Sequence, residues 1–127
     1  MHVEPGWDLV FNLSESPIYQ LIRINGILTF SNLTDTHLHA KHIFIRAGQL
    51  HIGSQDYPYP RVAKITLHGT KDETAIVYDN AIEAGNKLIA NVGLISMWGR
   101  PRVQKMTRLL APAAKGATSI KVEPGLD

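Results

Sequence analysis

The 127-residue chain contains no cysteine, and that absence excludes several kinds of scaffold and site. Without thiols the protein has no disulfide framework, no cysteine nucleophile and no thiolate-bound metal. Charge is also sparse, because 13 Lys and Arg residues stand against 11 Asp and Glu residues and the basic ones are scattered. A net charge of +2 provides no surface that would follow a phosphate backbone. We therefore expect no nucleic-acid partner.

Long apolar runs and a signal peptide are missing too. The longest clean apolar run, at residues 75–78, is far shorter than the roughly 20 residues that a membrane helix needs. Residues 1–6 lack the basic and apolar regions of a signal peptide. The length fits a single domain over residues 1–127, and strand-like residues 119–123 near the end favour a fragment of a larger protein. We expect no membrane contact by this segment, although a parent protein could carry an anchor.

Residues that favour β-strands dominate what is present. Val, Ile, Thr, Phe, Tyr and Trp together supply 37 residues, whereas Glu occurs five times. The best helical candidate, residues 71–85, is poorly periodic and predicts at most one short helix. Alternating apolar and polar residues, bounded by Gly, Pro, Asn, Asp or Ser, predict strands at residues 21–30, 42–52, 62–67, 87–97 and 118–122. The chain is therefore predicted to be all-β.

A weak internal repeat narrows the fold class. Gly26, Gly48 and Gly93 are each followed by apolar side chains two and four positions later. The first interval is 22 residues, and the second, of 45 residues, is close to two such steps. A period of this length with short strands and glycine corners is typical of one coil of a β-solenoid. An ordinary β-sandwich, whose hairpin turns also contain recurring glycines, is the alternative, and these residues leave both open.

Several glycine-containing segments carry a family resemblance. The main ones are residues 38–53 (LHAKHIFIRAGQLHIG) and residues 63–69 (AKITLHG), with further matches at residues 24–30 and 85–99. Together they resemble the G-eight domain, which is named for its glycines. That domain occurs in fibrocystin, in fibrocystin-like proteins and in the cell-surface proteins that bind or degrade hyaluronan. The sequence departs from the family at residues 97–99, where Met-Trp-Gly stands in place of a triplet of the Leu-His-Gly type.

The resemblance implies an extracellular or cell-surface, all-β module that joins or caps a right-handed parallel β-helix, so it favours the solenoid. It implies an interaction or carbohydrate-associated unit without catalysis of its own, with an extracellular glycan or protein as partner. The alternative is a part of a hyaluronan-depolymerising enzyme whose catalytic groups lie mostly elsewhere. If the chain forms such a coil, structural roles are expected for seven glycines: Gly26, Gly48, Gly53, Gly69, Gly85, Gly93 and Gly99.

The residues themselves predict no catalytic group. The acidic side chains form no pair suited to glycoside cleavage, and the chain has neither a nucleophile elbow nor a phosphate-binding glycine loop. Two N-glycosylation sequons do occur, at Asn12 and Asn32, and they give mild support to a secreted or cell-surface origin.

Asp35, His37 and His39 are the candidate metal ligands. On an extended strand their side chains would project from one face, because strand side chains alternate. Two imidazoles and a carboxylate can hold zinc or a similar ion, and calcium is the other ion considered. Alternatively these are polar positions facing solvent, and then no cofactor is expected. His42 would need a bend in the chain to join them, and His68 is expected to be structural.

Aromatic and basic residues are the candidate glycan contacts, since flat rings can stack on the C–H faces of sugars. Tyr57 and Tyr59 each precede a proline, which holds them in an extended conformation, and Trp98 lies beside a glycine. Arg100 and Arg102 belong to the densest basic stretch and would attract an acidic polysaccharide. The alternatives are a packed loop for the tyrosines, a core position for Trp98 and a solvated loop for the arginines.

Overall fold

The computed structural model describes residues 1–70, 72–73, 75–78, 82–101 and 106–124. These residues form nine β-strands and no helix, so the all-β prediction is confirmed. No helix long and apolar enough to cross a membrane occurs in these parts of the chain. The strands are β1 His2–Val3, β2 Asp8–Phe11, β3 Ile18–Ile24, β4 Ile27–Phe30, β5 Thr36–Ile52, β6 Ala63–Leu67, β7 Ile76–Tyr78, β8 Ile82–Ala84 and β9 Ile89–Met97.

The main sheet is arranged around β5, which is 17 residues long. β3 and β4 pair with β5, and β1 and β2 extend the sheet beyond them. β6 and β9 also pair with β5, the first along its beginning and the second along the rest. All of these pairings are parallel, and together they form one curled sheet.

Neighbouring strands are in register, so that similar side chains stack. Leu28 pairs with Leu50, and Leu50 pairs with Ile95. Ile22 pairs with Ile43 in the same way. The side chains of β3, β4 and β5 in these ladders are fully buried in the core. Because burying one such side chain contributes about 1.5–3 kcal/mol, the ladders are the main stabilising feature of a chain without cross-links.

The glycines of the internal repeat lie at one corner of the curled sheet. A Cβ on Gly48 would come within 3.0 Å of the carbonyl oxygens of Ile24 and Gly26. A Cβ on Gly93 would clash in the same way with the carbonyl oxygen of Gly48. A Cβ on Gly26, which lies in the turn between β3 and β4, would clash with the carbonyl oxygens of Glu4 and Trp7. The three glycines therefore occupy equivalent positions, where neighbouring backbone segments approach too closely for any side chain.

The interval from Gly48 to Gly93 is a single step of the repeat, although its length of 45 residues suggests two. Because Gly93 lies directly against Gly48, the 45 residues are one step of the repeat and not two. β6 pairs with residues 36–40 and β9 with residues 43–52, so the two strands lie along successive stretches of β5. A few of the additional residues precede β6, which lies 27 positions after its partners on β5, and the rest lie between β6 and β9.

The other glycines expected to be structural fall into two groups. A Cβ on Gly53 would lie within 3.0 Å of backbone atoms, and Gly69 has φ of 137°, in a region that favours glycine. At Gly85 and Gly99, by contrast, a Cβ would meet no close contact. Space around these two positions does not require glycine.

The helical candidate, residues 71–85, contains a β-hairpin in its described part. β7 and β8 pair antiparallel, with Ile76 opposite Ala84. Val77 and Tyr78 are β-branched and aromatic, and such residues favour extended structure. The Tyr78 ring is buried and stacks on Phe44 of β5 at 4.3 Å between centroids, which ties the hairpin to the outer face of the main sheet.

The strand predicted at residues 118–122 was wrong. Val122 forms a single antiparallel bridge with Leu109, and no strand is present among residues 106–124. Ile120, which the alternation would place in a core, is 61% exposed. Among the described residues, the backbone pairing of this segment is limited to two hydrogen bonds around this bridge, from the Leu110 N–H to the Lys121 carbonyl and from the Glu123 N–H to the Arg108 carbonyl, and so short a ladder is not a strand.

Candidate functional site

Two histidines project side by side from the outer face of β5. Leu38 and Ala40, which lie beside them in sequence, are fully buried, so the intervening side chains point away from the core. The side chains of His37 and His39 retain 21% and 12% exposure. Their ring centroids are 3.8 Å apart. The structure therefore brings together the two imidazoles that the sequence placed on one face.

Glu15 reaches the same place from the loop between β2 and β3. Ser16 fastens this loop to β5, because its N–H donates to the His37 carbonyl at 3.0 Å and its hydroxyl accepts from the His39 N–H at 2.9 Å. The His37 N–H in turn donates to the Leu13 carbonyl at 3.3 Å. The Glu15 carboxylate then lies 3.1 Å from Nδ1 of His37 and 2.5 Å from Nε2 of His39.

The remaining nitrogen of each imidazole also has a partner, supplied by β6 and the residues after it. Nε2 of His37 lies 2.7 Å from the Thr66 hydroxyl, and Nδ1 of His39 lies 2.7 Å from Nε2 of His68. Neutral imidazoles satisfy every one of these contacts. Both rings then donate to the Glu15 carboxylate, while the Thr66 hydroxyl and the His68 ring donate to the nitrogens behind them.

The electrostatics of the cluster keep Glu15 ionised. The hydrogen bond from His39, together with the nearby His37, lowers the pKa of the Glu15 carboxyl from its ordinary value. The site therefore presents a carboxylate and two imidazoles whose ligating atoms all lie within 4.8 Å of one another. That combination of oxygen and nitrogen donors is one that a divalent metal ion can accept.

Asp35, the carboxylate expected beside the histidines, lies outside this group. Its side chain accepts a hydrogen bond from the Val62 N–H at 2.9 Å, which ties the start of β5 to the residue before β6. Sequence reasoning missed Glu15 because it comes from a different strand connection. One signal could have found it: Glu15 precedes His37 by 22 residues, the interval that separates Gly26 from Gly48.

A family model described as the G8 domain matches residues 1–110. The chain belongs to the G8 domain family. The match confirms the resemblance carried by the glycine-containing segments, and it covers the whole curled sheet together with the histidine cluster. No curated protein matches the chain in a sequence search. No solved structure matches it either.

The aromatic residues of this G8 domain lie in two separate clefts. Trp98 is 44% exposed and lines a cleft of about 600 Å³ together with Arg61 and Arg100. Tyr57 is 81% exposed and lines a second cleft, of about 590 Å³, beside Asn32. Arg102 lies outside the described residues. The structure thus groups Trp98 with Arg100 and places Tyr57 elsewhere.

Tyr59 occupies a different environment from Tyr57. Its side chain is 4% exposed, and it forms part of the wall of the Trp98 cleft. Its hydroxyl donates to the Ser31 carbonyl at 2.7 Å and lies 3.0 Å from the Thr36 hydroxyl. The ring therefore holds the loop after β5 against the core.

Both sequons of the G8 domain lie at one end of adjacent strands. Asn12 directly follows β2 and Asn32 follows β4 by two residues, and the last residues of these strands, Phe11 and Phe30, pair with each other. Both asparagines are exposed. An oligosaccharide on either asparagine would project from the same end of these two strands.

Proposed function

We propose that this G8 domain is a non-catalytic, extracellular structural and interaction module that adjoins a right-handed parallel β-helix. The observation that carries the proposal is the parallel, in-register stacking of its strands around aliphatic ladders. Stacking of this kind can be extended, because each strand offers the next one the same arrangement of backbone groups and side chains. A β-helix coil is the element that would continue it.

The outer edges of β6 and β9 support contact with such a coil. Within the described ranges, both strands pair only with β5. Val92 and Leu94 of β9 are 59% and 47% exposed. Proteins normally cover or protect an open strand edge that carries apolar side chains. The next coil of a β-helix would cover this open edge.

The two exposed sequons support the extracellular part of the proposal. Asn12 and Asn32 both lie on accessible turns at strand ends, where an oligosaccharide could be attached without disturbing the core. A sequon in the buried core could not be modified in the folded protein.

The Trp98 cleft is the surface that we assign to a partner, and an acidic polysaccharide suits its chemistry. Trp98 offers an exposed ring that can stack on a sugar, and Arg61 and Arg100 on the same cleft offer guanidinium groups for carboxylates or sulfates. Among the described residues, none of those that line this cleft is acidic. A protein partner is the alternative for this module, and the open edge of β9 would be its contact.

Hyaluronan oligosaccharides test the assignment. Titration calorimetry should detect binding to the wild-type chain, and Trp98→Ala should weaken it about tenfold, the loss expected for one stacked ring. Tyr57→Ala, which removes a more exposed ring from the other cleft, is the matched control and should bind like the wild type. Absence of binding, or equal losses in the two variants, would remove the glycan assignment.

The same protein tests the non-catalytic part of the proposal. After prolonged incubation with high-molecular-mass hyaluronan, with and without calcium, the polymer should keep its length in size-exclusion chromatography. Shortening of the polymer would overturn this part and favour the alternative that the domain belongs to a hyaluronan-depolymerising enzyme.

A further inference from the structure

We propose that Glu15, His37 and His39 form a binding site for a divalent transition-metal ion, and that zinc is the ion it takes. The three side chains come from two separate segments and converge from the loop before β3 and from β5. The ring nitrogens that face the Glu15 carboxylate are Nδ1 of His37 and Nε2 of His39. One ligating atom from each of the three residues can be chosen so that all lie within 4.8 Å of one another. This site is independent of the glycan cleft and of the open edge of β9.

The donor set selects the class of ion. Two imidazole nitrogens and one carboxylate oxygen are typical of zinc and related transition metals, which bind such atoms at about 2.0–2.2 Å. Calcium and magnesium prefer a shell made of oxygen atoms, and this cluster offers one carboxylate. The ion named as the other possibility from the sequence, calcium, is therefore disfavoured at this site.

The hydrogen bonds behind the two imidazoles are the strongest support. Metal-binding histidines almost always have their second ring nitrogen held by a hydrogen bond, which fixes the orientation of the ring. Here Thr66 holds Nε2 of His37 and His68 holds Nδ1 of His39, each at 2.7 Å. In both hydrogen bonds the two partners are 29 residues apart in the sequence. The pairing of β5 with β6 therefore positions both supporting side chains, Thr66 and His68, behind the two histidines.

Metal binding requires a shift of protons and a small outward movement of the exposed Glu15 carboxylate, because two ligands of one zinc ion lie farther apart than the 2.5 Å between Glu15 and His39. In the hydrogen-bonded cluster described above, Nδ1 of His37 and Nε2 of His39 donate to the Glu15 carboxylate. When the ion takes the place of these two protons, each imidazole carries its proton on the opposite nitrogen. His37 then donates to the Thr66 hydroxyl, whose own hydrogen turns away, and His39 donates to Nε2 of His68, which becomes the acceptor because the His68 proton moves to Nδ1. The rings stay neutral, and no contact behind them is lost.

The ligands are also held in place before any ion arrives. His37 and His39 belong to the longest strand, and the Ser16 hydrogen bonds fix the loop that carries Glu15. The Glu15 side chain is 66% exposed, so the ion would keep a position open towards solvent. A site with three protein ligands and one open position can bind water or an anionic group of another molecule.

Zinc titration of the untagged chain tests the proposal. We expect one Zn²⁺ per chain, measured by competition with a chromophoric chelator, and a visible spectrum of the Co²⁺-loaded protein that indicates low coordination number. Glu15→Gln and His39→Gln should each weaken zinc binding by at least tenfold. His68→Ala, which removes a positioning residue, should weaken it 10- to 100-fold.

His51→Gln is the matched control, because His51 also lies on β5 but bonds to Gln49 and not to the cluster. It should bind zinc like the wild type. If His39→Gln does not fold, Glu15→Gln carries the test, since its side chain is mostly exposed. Less than stoichiometric zinc on the wild type, or equal effects of Glu15→Gln and His51→Gln, would overturn the proposal.

Discussion

At the scale of single residues, the histidines of β5 differ in what surrounds them. His37 and His39 are hydrogen-bonded through both ring nitrogens, whereas His42 is 2% exposed and its Nδ1 has no hydrogen-bond partner among the described residues. Burial lowers the pKa of His42 from 6.5, with Lys41 acting in the same direction and Glu73 against it. His42 is therefore a buried neutral imidazole that resists protonation.

This burial predicts a pH dependence of stability. Below pH 6.5 the unfolded chain binds a proton at His42 that the folded chain does not, and this favours unfolding. The contribution of His42 to the unfolding free energy is therefore fully present above pH 6.5 and is lost as the pH falls through the lowered pKa of the folded state. His42→Leu removes the titrating group and its unpaired nitrogen. At pH 7.5 we expect its unfolding free energy to stay within about 1 kcal/mol of the wild type.

Thermal unfolding between pH 7.5 and pH 5 measures the difference. The melting temperature of His42→Leu should fall less than that of the wild type across this range. The melting temperature of His51→Leu, the same substitution at a half-buried histidine, should fall in parallel with that of the wild type. Parallel curves for all three proteins would contradict the role of His42.

At the scale of strands, the corner glycines determine how closely neighbouring strands pack. Gly48→Ala would bring a methyl group against the carbonyl oxygens of Ile24 and Gly26, and these backbone atoms belong to paired strands that cannot move independently. We expect the unfolding free energy to fall by about 1–3 kcal/mol, as for other substitutions that overfill a packed site.

Gly99→Ala is the control for the corner, because a Cβ at that position meets nothing within 4 Å. Urea denaturation followed by tryptophan fluorescence should place Gly99→Ala within about 0.5 kcal/mol of the wild type. Equal destabilisation by the two substitutions would mean that the corner contact does not matter.

Strand positions could be predicted from the sequence only where alternation was sufficient. The predicted strand at residues 21–30 is divided into β3 and β4, because the backbone turns at Asn25 and Gly26. β5 begins at Thr36, six residues before its predicted start. Its first part alternates in a different phase, because Leu38 and Ala40 point into the core there whereas Ile43 and Ile45 do so further along. Local alternation was enough to place His37 and His39 on one face. Glu15 could not be placed beside them, because that depends on which strands pair and in what register.

At the scale of the whole molecule, the described part of the sheet has an open edge along β6 and β9, each of which pairs only with β5. Exposed backbone groups on an open edge can pair with a second chain, and a lysine on such an edge opposes this pairing. We therefore expect the isolated domain to self-associate reversibly, and Val92→Lys to weaken the association about tenfold or more.

Sedimentation velocity over a range of concentrations measures this association. Val77→Lys is the matched control, because Val77 is 54% exposed, close to the 59% of Val92, but lies on the separate hairpin. It should associate like the wild type. A monomeric wild-type protein, or equal behaviour of the two variants, would argue against pairing through β9.

The corner at Gly48 and Gly93 also shows how the fold tolerates differences in length. One step of the repeat takes 22 residues and the next takes 45, yet the backbones meet at the same glycine contact. The additional residues are tied down by their own anchor, the stacking of Tyr78 on Phe44. The segment between β6 and β9 is therefore a site where a foreign sequence of different length could be inserted without changing the strand register. The inserted sequence would need an aromatic side chain that packs on Phe44 as Tyr78 does.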